Sequence, residues 1–335
     1  MIKKNEKFIS PVSIVIIQRN SSSTILYALE GIRKQDYPIR EIIIVDNHST
    51  DDSLSKIKNF SVNNKALQIR ILTKNSDTGV SNSYNMGVKV AKSNYVIVMH
   101  ADGVLPARRE ISIMMKPVLE EKNVSACTPF ILMPRSVWNK YNFWEKCLFC
   151  PALSRDQRSF TGKFNYVNKK LFLEAGGFDE KNFNADIGGE DVDLAIKLKK
   201  LGKVVETNAR VIHLHYLGQN YSIINWISNR KLFARSYGKI IRMHKLNLPL
   251  GALLVLLVKP FLAFFSLIIF IFPYNFLPII AFALIYMKEM YTTKKTLTDP
   301  RILLLPFVSI ALIYYETFWM VEEFLLPVKK WKGLK

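Results

Sequence analysis

Three carboxylates near the middle of the chain stand where a predicted helix begins. Residues 176–202 start with two glycines and an acidic turn, and they continue into a helix that begins at Glu190, Asp191 and Asp193 and ends at Gly202. Helix capping is one interpretation of these acids, because the helix dipole favours carboxylates in a first turn. A further acidic site upstream favours the other interpretation, a metal site and a general base that face one cleft.

The upstream acidic site is His100-Ala101-Asp102. It ends the apolar segment Tyr95–His100, whose composition predicts a buried strand. His100 and Asp102 are two residues apart, so their side chains can point to the same side. An imidazole and a carboxylate can together hold a divalent cation, and carboxylate ligands suit magnesium or manganese.

Two earlier strands also end in polar residues. Val12–Gln18 and residues 41–46 are apolar, and the second segment ends at Asp46, before a run of small polar residues and a predicted helix. Ligands of open α/β sheets bind beyond the carboxyl ends of the strands, so Asp46 is a candidate for nucleotide binding. A helix cap at Ser49 or Thr50 is compatible with the same residues.

A third strand is predicted at residues 67–73, and the helix that follows it carries two asparagines, Asn82 and Asn85. These two residues lie about one helical turn apart. Because asparagine is a mediocre helix former, two on one face predict polar contacts to a ligand or to a neighbouring loop.

The sequence argues against several classes of protein. Neither G-x-G-x-x-G nor G-K-[ST] occurs, which disfavours a dinucleotide oxidoreductase and a P-loop NTPase. The net charge of +20 suits an anionic membrane surface, a phosphate-bearing substrate or a nucleic acid. Since no nucleic-acid motif occurs and basic residues lie beside hydrophobic segments, we expect a membrane and no nucleic acid as partner.

The cysteines and the first residues bear on the compartment. Cys147 and Cys150 form a C-x-x-C pair, but no other pair or nearby histidine completes a zinc set. Three cysteines in 335 residues fit a reducing compartment. The first ten residues are polar and charged, so no secretory signal is expected.

The N-terminal strand and three motifs, in this order, resemble family 2 glycosyltransferases with the GT-A fold. The motifs are V-D-N-H-S-T-D at residues 45–51, N-x-x-x-G-x-x-x-x-x-N-x-G at residues 75–87, and G-G-F-D-E with G-E-D-V-D-L at residues 176–180 and 189–194. The resemblance covers residues 12–215. It implies an α/β, Rossmann-like nucleotide-sugar-binding domain in a membrane-anchored, inverting enzyme of the hexosyltransferase type, similar to rhamnosyltransferase-like and other cell-surface glycan glycosyltransferases. The donor would be a nucleotide sugar, and the acceptor a lipid-linked or cell-surface glycan.

The resemblance also implies roles for individual residues. Asp191 would be the catalytic base with Glu190 beside it, and Asp102 would be the main ligand of a divalent metal, Mn²⁺ or Mg²⁺. His100 departs from the family pattern, because it stands where the first acid of the D-x-D motif is expected. The residues implied in donor binding are Arg19, Asn20, Asp46, Asn47, Asn75, Gly79, Asn82 and Asn85.

Two histidines follow the acidic helix. His213 and His215 share one face if they lie on a strand. The resemblance implies that His213, the better candidate, approaches the metal or the diphosphate, and a buried structural histidine is the alternative.

Two segments each have two interpretations. Residues 134–160 are rich in aromatic and basic residues. The resemblance implies that they shape the acceptor side of the site, and core packing is the alternative. Residues 221–245 mix apolar and basic residues, which predicts either an amphipathic helix on a membrane surface or a helix packed on the GT-A domain.

The remainder of the chain is hydrophobic. We divide the sequence into a catalytic domain at residues 1–220, an interfacial helix or linker at 221–247 and a C-terminal transmembrane helical region at 248–335. Residues 248–272, 276–287 and 302–320 are the predicted hydrophobic segments, and the first is long enough to span a bilayer.

The distribution of basic residues predicts a multi-pass membrane protein with a cytoplasmic catalytic domain. If all three segments crossed the bilayer, the basic C-terminal tail would lie on the side opposite the cytoplasm, against the positive-inside rule. Either the third segment is therefore re-entrant or interfacial, or one of the first two segments does not cross. A buried hydrophobic helical domain that contacts no membrane is the alternative to these membrane arrangements.

Two other functions compete with glycan extension. One is a polyprenyl-phosphate sugar synthase, and the other is a non-catalytic GT-A subunit of a glycan export system. The long segment between the acidic sites favours glycan extension, and the presence of Asp102, Glu190 and Asp191 argues against a non-catalytic subunit.

Overall fold

A computed structural model of the protein describes residues 10–153, 157–183, 188–214, 221–244, 248, 250–268, 272–327 and 333–334. His215 and Lys245, which entered the predictions above, lie outside these residues. The described chain forms a mixed sheet covered by helices and then a group of apolar helices.

Nine strands form one sheet within the described residues. The strands are β1 Val12–Gln18, β2 Ile39–Asp46, β3 Ile69–Thr73, β4 Tyr95–His100, β5 Gly103–Val104, β6 Val124–Leu132, β7 Gln157–Arg158, β8 Phe164–Asn168 and β9 Lys203–His213. Their order is β3-β2-β1-β4-β8-β6-β9-β5, and β7 pairs with β6. The half from β3 to β4 is parallel, whereas β8 runs antiparallel to both β4 and β6.

The parallel half brings the predicted polar strand ends together. Gln18 at the end of β1 lies opposite Asp46 in β2, and Ile17 lies opposite His100 in β4. The predicted strands Val12–Gln18 and Tyr95–His100 are confirmed to the residue. Adjacent parallel strands therefore place their carboxyl ends at one edge of the sheet, which is where open α/β sheets bind ligands.

Helices cover both faces of the sheet, which is why its central strands are apolar on both sides. In β1, Ile14 and Ile16 join one core and Val15 and Ile17 the other. The helices of this part are α1 Ile25–Arg33, α2 Ser53–Asn63, α3 Gly79–Val90, α4 Glu110–Glu120, α5 Arg135–Trp138, α6 Phe143–Leu153, α7 Lys169–Glu174 and α8 Glu190–Leu201. Helix α8 begins at Glu190 as predicted.

The aromatic residues of the segment 134–160 are largely core residues. Trp138, Tyr141 and Phe143 are buried in one cluster with Trp226, and the ring of Trp144 stacks on that of Trp226 with centroids 5.8 Å apart. Trp138, Tyr141 and Phe143 are therefore core residues, which was one of the two interpretations of this segment, and they are not available to stack on a sugar.

The C-terminal part is helical. Its helices are α9 Ile223–His244, α10 Leu250–Phe265, α11 Leu277–Tyr286, α12 Lys288–Thr292, α13 Lys294–Leu297 and α14 Leu305–Leu325. Helices α9 and α14 approach so closely that a Cβ atom on Gly238 would lie 2.2 Å from the Met320 carbonyl oxygen. The side chains of Arg230 and Arg242 are buried at this contact. For these two residues, packing against the rest of the protein fits better than exposure at a membrane surface.

The predicted hydrophobic segments correspond to α10, α11 and α14. Helix α10 has 16 residues, shorter than the continuous segment 248–272 expected from the sequence. Over the described part of the chain, no helix has both the length and the apolar character required to cross a bilayer. The multi-pass arrangement with a cytoplasmic catalytic domain stays a prediction.

Candidate active site

His100, Asp102 and His213 form a cluster at the carboxyl edge of the sheet. The short strand β5 pairs with β9, which places Gly103 opposite His213. Nε2 of His213 lies 3.1 Å from Oδ2 of Asp102, and Nδ1 of His100 lies 3.9 Å from Oδ1. One ligand atom from each side chain lies within 4.8 Å of the others, so the three can share one cation.

The chemistry of this cluster fits a divalent first-row metal. Burial lowers the pKa of His213, against the opposing effect of the Asp102 charge, and this favours the neutral ring that a metal requires. Two imidazoles and one carboxylate suit manganese better than magnesium, which prefers oxygen ligands. His213 is thus buried, as one prediction had it, and also part of the candidate metal site.

A cleft of about 200 Å³ lies beside the cluster, where β1, β2 and β4 end. Arg19, Asn47, His100 and Asp102 all line it. The cleft therefore joins two of the predicted donor-binding residues to two members of the metal cluster.

Asp77 organises the rim of this cleft and was not predicted. It pairs with Arg19 and accepts hydrogen bonds from Nδ2 of Asn47 at 2.5 Å and from the backbone N–H of Gly79 at 2.9 Å. The bond from Gly79 contributes most to lowering the pKa of Asp77, so the carboxylate is ionised at neutral pH. The feature of the sequence that could have indicated this role is that Asp77 stands two residues before Gly79, which starts α3.

Asp46 and Asn20 hold the loop that follows β2. The buried Asp46 carboxylate accepts hydrogen bonds from the Gln18 side chain and from the Ser49 N–H at 3.2 Å. Oδ1 of Asn20 accepts from the Thr50 N–H at 2.8 Å. Asn75 is exposed between β3 and α3. None of the three lines the cleft.

Asn82 and Asn85 bind a neighbouring loop. Each donates a hydrogen bond from Nδ2 to the Glu180 carboxylate, at 2.9 and 2.7 Å. Asn85 also bonds the backbone of Phe178 through both ends of its amide. The loop alternative is therefore what the structure shows. Asn85 is buried, and its amide holds the G-G-F-D-E turn, whereas its assignment to the donor stays a prediction.

The three carboxylates at the start of α8 have different partners. The cap position itself belongs to Gly189, with φ 102°. Asp191 accepts a hydrogen bond from the N–H of the next residue, Val192, at 2.8 Å. Asp193 is buried and bonds Nε2 of His244 at 2.9 Å, which ties α8 to the end of α9. The bond from Asp191 to a first-turn N–H is compatible with the capping interpretation, and Glu190 and Asp191 both lie half-buried at the helix start.

Burial raises the pKa of both acids. Burial, followed by the charge of Asp191, raises the pKa of Glu190 to about 7. Burial also raises the pKa of Asp191, and the positive charge of Lys163 opposes that rise. A carboxylate that titrates near neutral pH is suited to general-base catalysis.

Tyr84 and Lys163 connect the acids with the metal cluster. The Tyr84 ring centroid lies 5.9 Å from that of His100, and its hydroxyl donates to the Gly162 carbonyl at 2.7 Å. Burial raises the pKa of Tyr84, and the charges of Asp102, Glu190 and Asp191 contribute to that rise. Lys163 acts electrostatically on Glu190, Asp191 and His213 alike. No pattern in the sequence marks either residue.

Comparison with known families and proteins agrees with this geometry. Residues 13–176 match the family described as Glycosyl transferase family 2. Glycosyltransferase GlyG of Streptococcus pneumoniae is 31% identical over 94 residues, which cover 28% of this chain and 31% of GlyG. The glucosyltransferase WfgD of Escherichia coli, described as acting with UDP-Glc and α-D-GlcNAc-diphosphoundecaprenol, is 27% identical over 108 residues, or 31% of this chain and 41% of WfgD. The chain thus spans less than half the length of each of these relatives.

Solved structures share the fold. The mannosyltransferase PcManGT from Pyrobaculum calidifontis, in complex with GDP-Man and Mn²⁺, superposes with a TM-score of 0.60 at 19% identity, over 93% of this chain and 90% of that one. GalNAc-T7 with UDP, GalNAc and Mn²⁺ superposes with a TM-score of 0.51 at 16% identity, over 75% of this chain and 54% of that one. The predicted GT-A type α/β fold is confirmed.

Proposed function

We propose that this chain, whose residues 13–176 match glycosyl transferase family 2, is a glycosyltransferase that transfers a sugar, with inversion, from a nucleoside diphosphate donor to a lipid-linked or cell-surface glycan. The observation that carries this proposal is the position of the α8 acids beside the His100–Asp102–His213 cluster, with Tyr84 between them.

The donor occupies the cleft at the sheet edge. Its nucleotide lies among Arg19, Asn47 and the loop held by Asp46, and its diphosphate points toward the metal cluster. The structural neighbours that share the fold contain GDP-Man or UDP, each with Mn²⁺. The location also agrees with ligand binding at the carboxyl ends of parallel strands.

His100, Asp102 and His213 would hold the divalent metal. When bound, such a metal offsets the negative charge that develops on a leaving diphosphate. Lys163 adds a positive charge on the same side of the site, because it acts on both the acids and His213. We assign it to the stabilisation of the departing nucleoside diphosphate.

Asp191 takes the proton of the acceptor hydroxyl. The hydroxyl oxygen forms a bond to the anomeric carbon of the donor sugar while the bond from that carbon to the diphosphate oxygen breaks. The proton passes to the Asp191 carboxylate, and the nucleoside diphosphate leaves with the bonding electron pair. One displacement inverts the anomeric centre, so the enzyme requires no nucleophile of its own.

The C-terminal helices contact a membrane in this proposal. Apolar side chains of α10 and α14 are widely exposed, among them Leu250 at 72%, Phe261 at 64% and Phe307 at 73%. Many exposed apolar side chains on two helices favour a lipid or protein partner. A membrane location brings the enzyme to a lipid-linked acceptor, and the catalytic domain then faces the cytoplasm, where nucleotide sugars are made.

A donor screen tests the proposed function. Purified full-length protein is incubated with each nucleotide sugar, and release of nucleoside diphosphate is followed with and without Mn²⁺. We expect one donor to be hydrolysed slowly in a metal-dependent manner, and transfer to be faster with a diphospholipid-linked sugar. Absence of metal-dependent turnover with every donor contradicts the assignment. Transfer to a free polyprenyl phosphate instead would identify a polyprenyl-phosphate sugar synthase.

A further inference from the structure

Another cavity, of about 550 Å³, lies among the C-terminal helices α9, α10, α11 and α14. Most of its wall is apolar, and small-molecule sites commonly have volumes of about 300–1,000 Å³ with such walls. The apolar lining includes Leu254, Val255, Val258, Phe282 and Met320.

The lining of this cavity includes a cluster of charged side chains. Arg230 of α9 forms two hydrogen bonds with the Glu316 carboxylate of α14, at 2.6 and 2.9 Å. Lys259 of α10 reaches the same carboxylate at 2.5 Å. Among the described residues that line the cavity, Glu316 is the only acid, so two cations share one anion. An excess of buried positive charge is costly unless an anion compensates it.

The cavity opens onto apolar surface. Leu254 and Val255, which line it, are 62% and 68% exposed. Phe261 and Leu250 extend the exposed apolar surface along α10 in both directions. A long hydrocarbon chain can therefore leave the cavity without crossing a polar rim.

The cavity also adjoins the candidate base through helix α9. Tyr237 lines the cavity, and the preceding residue, Ser236, contacts the start of α8, since a Cβ atom on Gly189 would lie 3.3 Å from Cβ of Ser236. Burial raises the pKa of Tyr237 to about 12, and the charges of Tyr286, Glu316 and Asp191 add to this rise. The Tyr237 side chain thus lies within electrostatic range of both the charged cluster and Asp191.

We propose that this cavity binds the lipid diphosphate of the acceptor. The phosphate groups bind Lys259 and Arg230, the lipid chain leaves past Leu254 and Val255, and the sugar at the other end of the diphosphate extends toward Asp191. Charge complementarity selects an anionic amphiphile over a neutral one. This inference rests on the proposed function, because it names the acceptor class of the same transferase.

Binding of farnesyl diphosphate to the full-length protein in detergent tests the inference. Titration calorimetry is run in EDTA, so that the metal cluster does not take up the diphosphate. Inorganic diphosphate, farnesol and phosphatidylglycerol are titrated in parallel. We expect saturable binding of farnesyl diphosphate and at least tenfold weaker binding of the other three.

Two variants and a control locate the site. Lys259→Met removes a cation but leaves the Arg230–Glu316 pair, and Leu254→Trp fills the mouth of the cavity. Each should weaken farnesyl diphosphate binding by about tenfold or more. Lys259→Met loses a hydrogen bond to a charged group, and Leu254→Trp obstructs the path of the lipid chain. Leu257→Trp makes the same change on the same helix at an exposed residue that does not line the cavity, and it should bind as the wild type does.

The outcomes separate this inference from the proposed function. Equal affinity in Lys259→Met, Leu254→Trp and wild type overturns the inference, and so does displacement of farnesyl diphosphate by phosphatidylglycerol, which would indicate a site for bilayer lipid. Donor hydrolysis without farnesyl diphosphate binding refutes the cavity assignment alone. Farnesyl diphosphate binding without any donor turnover refutes the proposed function and leaves the lipid site in place.

Discussion

Nε2 of His213 lies 3.1 Å from Oδ2 of Asp102, although 111 residues separate them in the chain. The contact depends on the pairing of β5 with β9, which puts Gly103 opposite His213. It joins the end of the parallel half of the sheet to a strand from the other half. The two side chains can therefore hold one cation only when both halves of the sheet are assembled.

Asp102→Ala should abolish Mn²⁺-dependent nucleotide binding while the protein remains folded. The substitution removes the only carboxylate of the cluster, and loss even of a residue that supports a metal ligand typically lowers metal affinity by about 10–100-fold. Calorimetric titration with UDP and GDP, with and without Mn²⁺, measures the effect, and circular dichroism checks the fold.

Histidine variants provide the matched control for this cluster. His213→Ala should lose at least about tenfold in Mn²⁺ affinity, whereas His48→Ala, in an exposed loop position, should not. Manganese-dependent binding that survives in both Asp102→Ala and His213→Ala would refute the metal site.

The strand ends were predictable from the sequence because a parallel sheet covered on both faces requires unbroken apolar strands. Val12–Gln18 and Tyr95–His100 show this pattern clearly. The two-residue strand β5 has no such pattern, since its pairing with β9 is a long-range contact. The contact between His213 and Asp102 could therefore be predicted only from the family resemblance.

The positions of polar residues could be predicted from the sequence, but the choice between their possible partners could not. Asn82 and Asn85 share a helix face as predicted, and of the two predicted kinds of partner, a ligand or a neighbouring loop, they bind the loop through Glu180. Local spacing determines which side chains share a face, and the tertiary fold determines what that face contacts. Asp77 and Lys163 were missed for the same reason, because their roles come from distant partners.

Gly238→Ala should destabilise the protein by about 1–3 kcal/mol, the usual cost of overpacking. An added Cβ would lie 2.2 Å from the Met320 carbonyl oxygen, so α9 and α14 would have to separate. Gly251→Ala is the matched control, since nothing lies within 4 Å of its Cβ position. It should be neutral or stabilising by up to about 1 kcal/mol. Equal melting temperatures for the two variants would contradict the close helix contact.

Glu190→Gln should raise the melting temperature at pH 8 but leave it nearly unchanged at pH 5. Burial raises the pKa of Glu190 from 4.5 to about 7 in the folded chain. Between these values the folded state binds more protons than the unfolded state, so this group makes stability fall as pH rises. Glu174→Gln, at an exposed position, is the control and should show no such difference between the two pH values.

Lys163→Met should move the acidic limb of the pH–rate profile to higher pH. The lysine charge opposes the rise in the pKa of both Asp191 and Glu190, so its removal makes the carboxylates harder to ionise. Transfer at pH 6.5 should therefore fall by a larger factor than transfer at pH 8.5. Lys170→Met removes the same charge from an exposed position and should leave the profile in place. An unshifted limb in Lys163→Met would show that its charge does not reach the acids.

Asp191→Asn should lower turnover by at least about a hundredfold with little change in donor affinity, because general-base catalysis typically contributes about 10²–10⁴-fold. Asparagine keeps the shape of the side chain and can still accept the hydrogen bond from the Val192 N–H, but it cannot take a proton. Glu190→Gln should cost less if Asp191 is the base, and the reverse order would reassign the role to Glu190. Single-turnover transfer and donor titration are measured on each variant beside its melting temperature. A rate near wild type in Asp191→Asn, or a loss that follows a lowered melting temperature, would show that the carboxylate is structural.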